Sequence, residues 1–173
     1  MKISTKQIAL TAMFLALLIA VQQFKNLSTL ITGPFVNAIL IITTLYLGVF
    51  SGLTVAVLSS LFAFLVNPSK LLLALPLMTP TVMVANAIIV LAVYIFRKKN
   101  LIVGMTIGSI LKTAFLWIAA NYVLIPIFGS GLPDPMKLAL KTAFSYNQLI
   151  TAAAGSVIAY IIWHSFLKAK VKI

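Results

Sequence analysis

Residues 9–24 read ALTAMFLALLIAVQQF. The run holds no charge and few polar groups before Gln22, and with its flanks it reaches the length of about 20 residues that a helix needs to cross a bilayer. Its residues are continuously apolar rather than alternating, which sets it apart from a barrel strand. Ala12, Ala16 and Ala20 recur at a spacing of four, so one face of this helix is bare along its length.

The rest of the chain has the same character. Of 173 residues 62% are hydrophobic and 8% charged, a balance that would leave a water-soluble fold with an apolar surface. The chain reads as an all-α membrane protein: a six-transmembrane-helix bundle in one integral membrane domain, 1–173. The first run leads directly into further spans, which identifies it as a retained helix rather than a secretory signal. Gly, Pro and charged punctuation places the helices at about 6–24, 34–50, 53–66, 80–96, 101–126 and 138–167. The third is short, and 71–75 is a candidate surface helix. There is no cysteine, hence no disulfide framework or thiolate metal site.

Lys2, Lys6, Arg97, Lys98, Lys99, Lys168, Lys170 and Lys172 fall on one side of such a bundle, and Lys25, Lys70, Lys137 and Lys141 on the other. Cytoplasmic loops are enriched in Lys and Arg, so both N and C termini are expected to be cytoplasmic. The net charge of +12 is then a topology signal and a contact with anionic lipid headgroups. It predicts no nucleic-acid partner.

Absent residues narrow the chemistry. Asp134 is the only acid and His164 the only histidine, so intramembrane proton relays, proteolysis and metal catalysis lack their groups. No catalytic residues and no metal site are expected. There is no Gly-rich phosphate loop with its Lys-Ser/Thr, so energy for uphill transport would come from a partner.

The polar residues share a depth. On this topology Gln22, Gln23, Asn37, Thr79, Thr81 and Asn86 lie in the outer half. Thr113, Trp117 and Asn121 on the fifth helix, and Ser145, Tyr146, Asn147, Gln148 and Thr151 on the sixth, lie there too. Buried amides and hydroxyls need partners. They either bond across helices as glue or line a pocket open to the outer side, and their common depth favours the pocket. Asn37, Asn86, Lys112, Thr113, Trp117, Asn121, Tyr146, Asn147 and Thr151 are the candidate substrate-binding residues, with Trp117 expected to stack on a conjugated part of the ligand. Lys112 sits near mid-span, where a charge costs roughly 2.5 to 3.5 kcal/mol on the insertion scale. It either snorkels, or bonds to a backbone carbonyl at a helix break, or meets an anionic group on a ligand. A permanently cationic substrate is disfavoured.

Small residues four apart allow close helix approach. Gly104 with Gly108, and Gly155 with Ala159, repeat the pattern of the first helix, and packing inside the bundle would account for such pairs. As an ensemble, the length, the six spans, the basic ends, the scarcity of acids and the Ala12-Met-Phe-Leu-Ala16 motif continued to Ala20 resemble the substrate-binding S components of energy-coupling factor (ECF) transporters. Residues 32–61, TGPFVNAILIITTLYLGVFSGLTVAVLSSL, look like the second and third helices of members that carry vitamins and related compounds.

The resemblance implies a high-affinity substrate-binding subunit of an ATP-driven importer in a prokaryotic cell membrane, multi-pass, taking up a vitamin or related heterocycle, anionic compounds among the options. It implies that Ala12, Ala16 and Ala20 dock on a transmembrane coupling subunit driven by two ATPase subunits. ATP and Mg would be used there, with no cofactor in this chain. It also implies an outer-half pocket covered by the loop from Lys25 to Gly33. The N-terminal histidine set of nickel and cobalt members is absent, as is the acid that thiamine-type members use. The alternatives are a self-sufficient facilitator or channel, which would move substrate without partner proteins, and an assembly subunit without a ligand.

Overall fold

A computed structural model describes residues 4–26 and 28–167. Lys2, Lys168, Lys170 and Lys172, which enter the orientation argument, lie outside the described residues. Helix α1 spans Thr5–Gln22. It opens on Ser4, whose Oγ accepts the Gln7 N–H at 3.2 Å and so satisfies one of the unpaired donors of the first turn. A 3₁₀ turn, Gln23–Asn26, follows.

Helix α2 spans Thr29–Leu47 and α3 Val49–Val66. Both start earlier than the sequence suggests. Pro34 reads in the sequence as the beginning of the second helix, but it sits in the first two turns of α2, where it removes a single ladder bond. Gly48, at φ 95°, makes the whole reversal between the two helices, a conformation that costs glycine little and other residues more. With the turn reduced to one residue, α3 gains the residues it seemed to lack. Its 18 residues rise about 27 Å, close to the hydrocarbon thickness.

The candidate surface helix is present as α4, Lys70–Ala74, ahead of α5, Met78–Phe96. Helix α6 runs Leu101–Ile118 and widens into a π-helical turn, Ala119–Leu124, before α7, Ile125–Phe128. The widening precedes Pro126, which has no N–H for the carbonyl four residues back. The last span departs most from expectation. Instead of one helix over 138–167 there are α8, Asp134–Ala143, and α9, Tyr146–Ile162, parted at Phe144 and Ser145. Ser145 has φ −121° and ψ −116°, outside helical geometry. Helix α8 carries exposed Asp134 and Lys141 on one side and buried Leu140 on the other. Such an amphipathic segment packs on its neighbours rather than continuing as an apolar span.

Six segments are long and apolar enough to cross a membrane, and the described residues contain no strand. Helix α2 is central and α1 peripheral: 56% of the α2 span is buried against 11% of α1. Close approach is built on glycine. A Cβ on Gly155 of α9 would lie 2.5 Å from the Pro34 carbonyl oxygen and 2.6 Å from Asn37 Cβ of α2. One on Gly108 of α6 would meet Ala92 Cβ of α5 at 3.1 Å. Gly104 with Gly108, and Gly155 with Ala159, are therefore internal contacts. Ala12, Ala16 and Ala20 are exposed, on the outside of the bundle.

Candidate functional site

The site is assembled around Lys112, 2% exposed on the inward face of α6. Its Nζ donates to Asn37 Oδ1 of α2 at 2.6 Å and to Asn86 Oδ1 of α5 at 2.8 Å. An ammonium has only donors, so both amides must turn their oxygens towards it and their nitrogens away. Asn37 Nδ2 then donates to the Gly33 carbonyl at 3.0 Å, and Asn86 Nδ2 to Ser60 Oγ at 3.0 Å. Ser60 in turn donates to the Ala56 carbonyl at 3.0 Å. Three helices are tied together by one lysine whose described partners are neutral. The sole acid, Asp134, pairs with Lys137 at 3.5 Å in the exposed first turn of α8.

Above this triad lies a cavity of about 180 Å³, of the order of the roughly 150 Å³ that admits benzene in an engineered core. It occupies the end of the bundle where α1 and α3 finish and α2, α5 and α9 begin, opposite the ends of the described chain. Gln22, Thr32, Asn37 and Ser60 face it from α1 to α3. Thr79, Asn86 and Lys112 face it from α5 and α6, and Asn147, Gln148 and Thr151 from α9. Val36, Leu71, Leu72, Val82 and Phe144 supply apolar wall. Gln22 Oε1 and Thr79 Oγ1 are buried and have no hydrogen-bond partner among the described residues. Beneath the triad the bundle is closed by an apolar cluster that includes Ala38, Ile41, Ile89, Val93, Met105 and Trp163.

The structure brings Asn37, Asn86, Lys112, Asn147 and Thr151 together at this cavity and leaves the other expected residues outside it. Thr113, Trp117 and Tyr146 line a separate shallow groove between α6 and α9. Trp117 is 42% exposed and stacks edge-on against Tyr122 at 5.3 Å. Thr113 Oγ1 donates to the Ser109 carbonyl and Asn121 Nδ2 to the Trp117 carbonyl, each bonding within its own helix. The expected cover, Lys25 to Gly33, is not a long loop, because Thr29–Gly33 already belong to α2. Ser69 and Leu71–Leu72 around α4, and Ala143–Phe144 at the α8–α9 break, form much of the rim instead.

Comparison with known proteins bears on what such a cavity serves. The family profile described as "ECF transporter, substrate-specific component" matches residues 6–167, nearly the whole chain. The chain belongs to this family. No curated protein and no solved structure gives a significant match. An ECF substrate-specific component is a non-catalytic, substrate-binding membrane subunit that associates with the ECF module. In this ECF component, Gln22, Thr79 and Gln148 line the cavity although the sequence marked only their depth, Thr32 and Gly33 line it where they were expected as cover, and Ser60 was not singled out at all. Ser60 lies in an ordinary apolar helix, and only its 26-residue link to Asn86 reveals it. The choice of face on α6 was open to a stricter test. Residues 113, 117 and 121 lie about 100° from Lys112, Leu116 and Ala120 around the helix. The buried lysine should have selected its own face.

Proposed function

We propose that this chain is the high-affinity binding subunit of an ECF importer for a compact vitamin or related heterocycle, working in a prokaryotic cell membrane. A transmembrane coupling subunit and two ATPase subunits, which hydrolyse ATP with Mg, are its proposed partners. The observation that carries the reading is the cavity itself. It is a partly open cavity at one end of the bundle, has room for a ring, and pairs apolar walls with buried polar atoms that lack protein partners among the described residues. Ligand sites combine these features. The apolar cluster below the Lys112 triad supports a binding subunit over a self-sufficient channel, because it packs the inner half of the bundle with buried apolar side chains.

Docking on the coupling subunit is assigned to the face of α1 that carries Ala12, Ala16 and Ala20. This stripe is exposed while the other small-residue pairs are used inside the bundle. The test of the binding role is mass spectrometry of small molecules retained by the purified protein. The expected result is one stoichiometric heterocyclic compound. A protein that retains none, and whose thermal stability no metabolite extract raises, would be an assembly subunit without a ligand.

A further inference from the structure

From the polarity of the cavity we infer that its ligand is an organic acid held head-down, its anionic group on Lys112 and a neutral N–H or O–H donor at the rim. This rests on the binding role proposed above and assigns the ligand's charge and direction. The floor is rich in N–H donors. Lys112 spends two N–H groups on Asn37 and Asn86, which leaves a third. Each amide oxygen already accepts from the lysine, and each amide keeps one N–H beyond the one it gives to Gly33 or Ser60. A buried lysine with an N–H to spare, beside two amide N–H groups and with no acid among the described residues that line the cavity, is matched by a carboxylate or a comparable organic anion.

The rim carries two oxygens without a partner among the described residues. Gln22 Oε1 is an acceptor only, and Thr79 Oγ1 accepts or donates; both are buried, at 8% and 6% exposure, and unpartnered among the described residues. Asn86 lies seven positions after Thr79 along α5, which places the rim about 10 Å from the floor along the helix axis. A bare inorganic anion would satisfy the floor and leave the rim unpaired. A neutral ring would leave the lysine's third N–H without an anionic partner.

The test uses the purified full chain in nanodiscs and a metabolite extract separated by ion exchange into acidic, neutral and basic fractions, with chloride and inorganic phosphate as further probes. Thermal unfolding is the readout. The acidic fraction is expected to raise the melting temperature, and its effect is expected to disappear in the variant Lys112→Met/Asn37→Leu/Asn86→Leu, which removes the lysine without orphaning its partners. Gln22→Leu is expected to raise the concentration needed for half-maximal stabilisation at least about tenfold. If only the neutral or basic fraction stabilises the protein, the charge assignment falls and the binding role stands. If no fraction does, both fall. Stabilisation by chloride or phosphate equal to that by the acidic fraction, or an undiminished response in the triple variant, overturns the assignment.

Discussion

Lys112 shows how one side chain can serve both the bundle and the cavity. Lys112→Met strands two buried amide oxygens, each at a cost of about 1–3 kcal/mol, so the variant should unfold at a clearly lower temperature than the parent. The triple variant Lys112→Met/Asn37→Leu/Asn86→Leu removes the stranded groups along with the charge and should recover most of that loss. Thermal unfolding of both without ligand checks the pairing; equal stability of Lys112→Met and the parent would mean that the two bonds at 2.6 and 2.8 Å contribute nothing net. Trp117 gives the opposite lesson. Its residue type and depth argue for stacking on substrate and a tenfold or greater loss of affinity on removal. Its place, 42% exposed in the groove between α6 and α9, predicts that Trp117→Ala changes the dissociation constant by less than about twofold. A calorimetric titration with the retained compound separates the two. Chemistry and depth were legible at both residues, but the angle of about 100° between adjacent positions on a helix decided which one reached the cavity.

At the level of elements, the small-residue stripes divide by what faces them. Gly108 already meets Ala92 and Ile89, and Gly155 meets Pro34 and Asn37. Bulk at either forces helices apart inside the bundle. Gly108→Leu should therefore misfold or lose ligand. Ala16 is exposed on a helix that is 11% buried, so Ala16→Trp should fold and bind ligand normally. It should fail in uptake and in co-purification with the coupling subunit, because close helix approach there needs small side chains. Full uptake by a well-expressed Ala16→Trp protein would detach the stripe from docking. The identical spacing of these motifs explains why the sequence could not sort them. A four-residue repeat marks a face and says nothing of what covers it. The breaks were obscured for a related reason. Apolar runs reveal spans, whereas Gly48 taking a whole turn, Pro34 lying inside α2, and the parting of α8 from α9 depend on neighbouring helices that no local window contains.

For the whole molecule the placement of charge bears on direction. Six spans put the ends of the described chain on one side and the cavity towards the other. Eight basic residues (Lys2, Lys6, Arg97, Lys98, Lys99, Lys168, Lys170 and Lys172) belong by sequence to the first side. Four (Lys25, Lys70, Lys137 and Lys141) belong to the cavity side. That excess is the signal that retains a side in the cytoplasm, so the cavity should face outwards, as the proposed role in import requires. The chain has no cysteine, which makes single introduced thiols clean reporters. Gly131→Cys lies in the exposed turn before α8, where a Cβ meets nothing within 4 Å, and Lys98→Cys in the exposed turn after α5. On intact cells a membrane-impermeant maleimide should label the Gly131→Cys protein and spare the Lys98→Cys protein, with both labelled after permeabilisation. The reverse pattern would point the cavity inwards and exclude capture from outside. With the expected pattern, the apolar cluster beneath Lys112 lies between the cavity and the cytoplasm. Release to the inside would then require the helices around that cluster to part or the whole bundle to move. Either change would have to be driven through a surface such as the bare face of α1.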